Sequence, residues 1–275
     1  MSIPLPQIFP ISEPDQYKAH LATKNESGHR PLDVFVRDRS EWDKWNAWRS
    51  HRDEFNRPRI FALIDFYPES DIWLFGGVYN VLSRSEEDHA HSYKVERSVI
   101  GNEYVGRLKI QFERPGRIRA IKLNRYIDQM EVSELLRRTY SGERFSGYES
   151  ICHDFSQLET IFQTEKKDWK AALQSVKGVY LITDKNNGKS YVGAAYGEHG
   201  IWSRWKNYLN TGHGWNDELT RIIDEKGIDY ARENFQFTLL EYMPARTDDS
   251  TIIERESFWK RALLSQTSDF GYNRN

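Results

Sequence analysis

The chain has 275 residues, with 39 Lys and Arg against 41 Asp and Glu, a length that suits one large or two ordinary domains. Its 14% aromatic content, nine Trp among it, can furnish a core, the 29% charged residues describe a soluble protein, and no apolar run approaches the length a membrane-spanning helix needs. No basic segment precedes an apolar one at Met1–Pro6, and the single Cys152 cannot form an internal disulfide, so the expectation is a cytoplasmic protein.

Residues 1–29 contain Pro, Asn and Ser without clear periodicity and read as an extended arm. Ser40 reads as the N-cap of a helix reaching about Phe55, with Trp42, Trp45 and Trp48 spaced three apart. Arg59–Tyr67 and Asp71–Ser83 are rich in β-branched and aromatic residues and predict two strands turned by Pro68-Glu69-Ser70. Gly76-Gly77 inside the second marks a bulge or a close backbone approach. Two more strands are predicted at Ser92–Ile100 and Glu103–Glu113. In the latter, Leu108, Ile110 and Phe112 alternate with Arg107, Lys109 and Gln111. Pro115-Gly116 turns the chain into Arg117–Asn124, and Val132–Tyr140 predicts a short helix.

Residues 30–150 therefore form one β-rich unit, expected as a curved sheet or small barrel. Residues 151–176 read as a helical linker with Trp169 and Leu173 on one face. From 177 to 275 the pattern is β, β, α, α, β, α, which makes the whole chain α+β. The strands lie at Gly178–Thr183, Ser190–Ala194 and Phe235–Tyr242, with a hairpin at Asn186-Asn187-Gly188. The helices lie near Ile201–Leu209, Trp215–Glu225 and Ser250–Leu264.

Two charged residues in this second unit sit where packing alone would not put them. Glu256 shares a helix stripe with Ile252, Trp259 and Leu263, whereas Glu254 is about 200° round the helix. A carboxylate facing apolar surroundings calls for a cation, either a metal ion or the guanidinium of an arginine. Arg204 likewise shares the inward stripe of its helix with Ile201, Trp205 and Tyr208, where a guanidinium can meet a phosphate in bidentate fashion or snorkel to water.

The order of short motifs here resembles the GIY-YIG nuclease family. Gly178-Val179-Tyr180 is followed by Tyr191-Val192-Gly193, then Arg204, then Gly212-His213-Gly214-Trp215-Asn216 leading to Leu219. Glu256-Ser257-Phe258-Trp259-Lys260 and a final Gly271-Tyr272-Asn273 complete the series. The sequence departs from the family pattern in carrying Val for Ile in both tripeptides, and the resemblance does not cover residues 1–160.

The resemblance implies a three-stranded antiparallel sheet flanked by helices and hydrolysis of phosphodiester bonds in double-stranded DNA with one divalent metal. It matches Glu256 to the metal-binding carboxylate, Tyr180 to a proposed general base and Arg204 to the residue that stabilises charge on the phosphate. Tyr191 helps position water or phosphate, and Asn273 closes the site. His213 matches a position near a helix start, where phosphate contact, proton transfer and helix capping all stand open. An unperturbed phenol is a poor base, so a cation or a metal-bound water would have to assist Tyr180. Mg²⁺ suits a lone carboxylate that leaves several waters on the ion, and Mn²⁺ is expected to substitute.

The first unit offers two hints of a DNA reader. Arg107, Lys109, Arg114, Arg117 and Arg119 belong to a basic stretch that can track phosphates or simply be a solvated face. Trp73 and Tyr79 flank the Gly pair and can form a pocket for a flipped, cytosine-modified base or simply be core. The leading expectation is a restriction or defence endonuclease. A repair nuclease acting on branched DNA and a non-catalytic binding module are the alternatives. Cutting both strands with one site calls for a homodimer or for sequential nicking.

Overall fold

The computed structural model describes residues 3–50, 52–87 and 90–274, without the side chains of 48–50, 87 and 90. The chain divides into two compact units. One comprises residues 1–25 and 30–141, the other 26–29 and 142–275.

In the first unit the elements are β1 (Ile3–Pro4), α1 (Leu5–Ile8), β2 (Tyr17–Ala22), α2 (Pro31–Arg37), α3 (Arg39–Trp45), β3 (Trp48–Ser50), β4 (Arg59–Asp65), β5 (Ile72–Glu87), β6 (Ala90–Arg97), β7 (Leu108–Gln111), β8 (Ala120–Lys122) and β9 (Glu131–Leu135). The described strands make a mixed nine-stranded sheet in the order β1-β9-β7-β5-β4-β2-β8, with β6 pairing both β5 and β3. The sheet is open, so of the two expected shapes the barrel is not formed.

The arm expected at residues 1–29 is instead structural. Tyr17–Ala22 is buried at every position and pairs in parallel with β4. Tyr17, Ala19 and Leu21 alternate with Lys18 and His20, yet both faces are covered, so the two polar residues are buried as well. The tryptophan-spaced helix is shorter than expected. Asp38, two residues before Ser40, accepts from the backbone N–H of Ser40 and Glu41 and caps α3, which ends at Trp45. Asn46 then turns inward, bonding His20 Nδ1 at 2.7 Å and the Trp42 carbonyl at 3.2 Å, so Trp48 leaves the helix and joins β3. The side chain of Trp48 lies outside the described residues.

Residues 131–135 form a strand where a helix was expected from Val132, because pairing with β7 on one side and β1 on the other satisfies their backbone. The close approach expected at Gly76 is present. A Cβ there would lie 2.5 Å from the Trp42 ring, whose Nε1 donates to the Gly76 carbonyl at 3.0 Å.

The second unit contains β10 (Cys152–Asp154), α4 (Phe155–Gln163), α5 (Lys167–Gln174), β11 (Val176–Asp184), β12 (Ser190–Ala195), α6 (Gly200–Thr211), α7 (Asp217–Lys226), α8 (Ile228–Asn234), β13 (Phe235–Pro244) and α9 (Asp249–Ala262). The expected antiparallel trio β13-β11-β12 is extended to four strands by β10, so residues 151–176 belong to this unit rather than linking to it. The helix expected over 155–176 is broken at Glu165, whose φ is +44°.

Alternation along β11 and β12 sends side chains to opposite faces of the sheet. Tyr180, Ile182 and Tyr191 pack in a core with Ile201, Trp205 and Tyr208 of α6, whereas Val179 and Val192 pack against Ile252 of α9. α6 and α9 therefore cover opposite faces, and β12 is the edge strand between them, bonded at Ser190 and Val192 by residues 270–273.

Candidate active site

Both signature tripeptides place glycine where a side chain cannot fit. A Cβ on Gly178 would lie 2.2 Å from the Glu241 carbonyl oxygen of the neighbouring β13. Gly193 is the cross-strand partner of Tyr180, and a Cβ there would lie 2.5 Å from the Tyr180 hydroxyl. The second glycine thus makes room for the first tyrosine.

Tyr180 is fully buried. Its hydroxyl accepts from Arg204 Nε at 3.0 Å and donates to the Tyr208 hydroxyl at 3.2 Å. Burial pushes its pKa up, against the pull of the Arg204 charge. The phenol is therefore a neutral hydrogen-bonding group at neutral pH. Arg204 also donates from Nη2 to Tyr208 and from Nη1 to the Gly214 carbonyl, each at 3.0 Å. Burial works against the Arg204 charge, but the Tyr180 and Tyr208 oxygens outweigh it, and its pKa is raised.

Around the β12 edge a cleft of about 450 Å³ is lined by Tyr191, Ser203, Arg204, Asn207, Glu256 and Lys260, with residues 194–197 and Gly200. Arg204 arrives from one sheet face and Glu256 from the other. The Glu256 carboxylate lies 3.4 Å from Lys260 Nζ, one helical turn on, with side chains 16% and 12% exposed. Its organic cation is thus a lysine rather than an arginine.

The six residues matched to the site are not equivalent. Tyr191, Arg204 and Glu256 share the cleft, whereas Tyr180 stands behind Arg204 and is not part of the lining. Asn273 is buried and spends both ends of its amide on Val192, accepting from the N–H at 2.9 Å and donating to the carbonyl at 2.8 Å. It fixes the edge strand instead of facing the cleft. His213 Nδ1 accepts the Trp215 N–H at 3.1 Å and bonds Thr220 Oγ1 at 2.9 Å, which leaves Nε2 as the protonated nitrogen of the neutral ring.

Sequence reasoning missed Lys260 and Tyr208 as site residues. Tyr208 was visible as an inward residue, but its bonds to Tyr180 and Arg204 depend on how α6 meets β11. Lys260 follows Glu256 by four residues, a spacing at which a helix brings two side chains together.

Among the described residues no group of three or more His, Cys, Asp or Glu side chains could hold a metal. One partly buried carboxylate opening on a cleft lined by polar side chains nevertheless suits an ion that keeps most of its waters. Glu256 would hold it, and Lys260 would have to give way.

In the first unit the expected DNA contacts separate. Lys109 is buried between Glu69 at 2.6 Å and Glu134 at 2.8 Å, over the Phe66 ring, so its charge is compensated within the fold. Arg107 is occupied with the Leu136 and Glu103 carbonyls. Arg117 and Arg119 are exposed, and Arg114 is half-buried. Trp73 and Tyr79 are core residues, 4% and 1% exposed, bonded to the Phe112 carbonyl and to Asp43. They form no base pocket, which removes the observation behind a modified-base reader.

The GIY-YIG catalytic domain description matches residues 176–273. The chain is 34% identical over 96 residues to the intron-associated endonuclease 1 of Enterobacteria phage T4, over 35% of this chain and 36% of that protein. It thus spans about a third of the length of that curated relative. Two solved structures of the catalytic domain of the homing endonuclease I-TevI are 30% and 32% identical, cover 36% of this chain and 94% and 98% of theirs, and each give a TM-score of 0.28. Residues 176–273 belong to the GIY-YIG catalytic-domain family.

Proposed function

We propose that the chain is a metal-dependent DNA endonuclease whose reaction takes place in the β12 cleft. The observation that carries this reading is the convergence of Arg204 and Glu256, from opposite sheet faces, on one opening beside Tyr191 in a GIY-YIG catalytic domain. Hydrolysis of a phosphodiester needs an oriented water, charge compensation at the phosphoryl oxygens and help for the leaving 3′-oxygen. Arg204 is preorganised for the second task, because three acceptors hold its guanidinium. Tyr180 acts as the residue that orients Arg204. Tyr191, in the cleft wall, is the tyrosine placed to meet water or phosphate. Glu256 would hold a divalent ion, which would supply Lewis acidity and charge compensation for the leaving oxygen.

The chemistry matches a restriction or defence enzyme in which the first unit adds DNA affinity through Arg114, Arg117 and Arg119. What supports this is a first unit that has its own core and exposes Arg117 and Arg119, in the same chain as a catalytic domain. The test is cleavage of supercoiled plasmid in Mg²⁺ by the full chain and by Glu256→Gln. Nicking or linearisation by the wild type and none by the variant is expected, and equal activity of both defeats the assignment. Preference for a four-way junction over linear duplex would place the enzyme in repair instead.

A further inference from the structure

The loop from α6 to α7 presents an aromatic ring at a backbone cost. Trp215 is 74% exposed, and its φ of +65° lies in the left-handed region, where a bulky residue is strained. Glycine adopts that conformation freely, as Gly212 and Gly214 do beside it, so an indole here carries a backbone cost that glycine would not. Burial does not account for the indole.

The loop is firmly built. Thr211 Oγ1 accepts from the N–H of His213 at 3.2 Å and of Gly214 at 2.8 Å. The Trp215 N–H donates to His213 Nδ1, and the two rings meet edge to face at 5.2 Å. A Cβ on Gly214 would lie 2.5 Å from the Tyr208 ring, so the loop is pressed against the residue that also binds Arg204. The Gly214 carbonyl accepts from Arg204 Nη1 at 3.0 Å. The exposed indole is thus mounted one residue from a carbonyl that holds the arginine of the cleft.

We propose that Trp215, braced by His213, is a stacking subsite for a nucleobase of the DNA beside the phosphate that Arg204 binds. Every base offers a π face, so such a contact holds the strand without reading its sequence. A rigid mount lets the contact position the backbone relative to Arg204, which a mobile side chain would not do. The inference rests on the endonuclease reading above.

The test uses the full chain with Trp215→Phe, Trp215→Leu and Trp215→Gly. Cleavage is assayed in Mg²⁺. Binding is measured in EDTA to a duplex carrying 2-aminopurine beside a mapped cut position. Trp215→Gly should keep or raise the thermal midpoint, because glycine relieves the left-handed backbone, yet weaken binding roughly tenfold. Trp215→Leu should weaken it similarly, while Trp215→Phe retains most of the affinity and of the 2-aminopurine response. An active wild type whose Gly and Leu variants bind and cut equally well overturns the subsite. So does a Trp215→Gly variant that loses affinity only in step with its thermal midpoint. An inactive wild type that binds no duplex overturns the endonuclease reading and the subsite together.

Discussion

Arg204 donates from Nε to the Tyr180 hydroxyl at 3.0 Å, which makes the signature tyrosine and the arginine of the cleft one hydrogen-bonded unit. Tyr180→Phe removes an acceptor from a half-buried guanidinium, a loss worth about 1 kcal/mol of stability. It also frees Arg204 to shift, so cleavage should fall roughly ten- to a hundredfold. The residual activity should keep the wild-type pH profile, since the enclosed phenol is not the group that titrates. A profile that loses an alkaline or neutral limb in Tyr180→Phe would instead identify Tyr180 as the base.

Gly193→Ala tests the same unit from the opposite strand. The added methyl would lie 2.5 Å from the Tyr180 hydroxyl and 2.6 Å from its Cζ, so ring and strand must separate. Overpacking of this kind costs about 1–3 kcal/mol. Denaturant unfolding should show that loss, with activity reduced further as Tyr180 moves off Arg204. A variant of wild-type stability would mean that the sheet opens more freely there than its register implies.

The second unit was legible in sequence because its strands and helices carry clean apolar periods, and because Arg204 and Glu256 break those periods at the inward positions. Their convergence at the β12 edge was not legible, since it depends on α6 and α9 lying on opposite sheet faces. In the first unit, β2 alternates Tyr17, Ala19 and Leu21 with Lys18 and His20, but the run is short and its two basic residues look like a surface face, because the neighbours that bury both faces lie far away in the chain. Residues 131–135 misled in the other direction. A helix-compatible run became a strand because β7 and β1 offered its backbone partners on either side. Lys109 alternated as an outward residue should, yet Glu69 and Glu134 cover it from positions far away in the chain.

Buried tyrosines tie stability to alkaline pH. Burial raises the phenol pKa of Tyr180, Tyr208 and Tyr79, and burial with the Asp53 contact pushes Tyr93 up to about 12. A raised folded pKa means that the native state keeps a proton which the unfolded chain releases near pH 10. The stabilisation is therefore complete below about pH 10 and is lost as pH climbs through the folded values. Tyrosinate absorbance should show fewer than the chain's 15 tyrosines titrating near pH 10 in the native protein, and all of them in guanidinium. The urea midpoint should decline over the same range. Full titration near pH 10 without unfolding would refute the enclosure of Tyr180 and Tyr208.

Lys260 competes with any cation for Glu256, because its ammonium lies 3.4 Å from Oε1. Lys260→Met keeps the aliphatic length and removes that competitor. Divalent binding, followed by calorimetric titration with Mn²⁺, should tighten in the variant, and the Mg²⁺ concentration needed for half-maximal cleavage should fall. Weaker Mn²⁺ binding would show that the lysine supports the metal site, for instance by holding the Glu256 rotamer.

The basic residues of the first unit should divide according to what already neutralises them. Lys109 is spent on Glu69 and Glu134, so Lys109→Gln strands two carboxylates and should lower stability while leaving the salt dependence of DNA binding unchanged. Arg117 and Arg119 are exposed. Replacing each by Gln should weaken DNA binding with little effect on folding, and each loss should reduce the slope of log affinity against log salt by about 1. If Lys109→Gln changes the slope and the two arginine variants do not, the phosphate-binding face lies elsewhere on the chain.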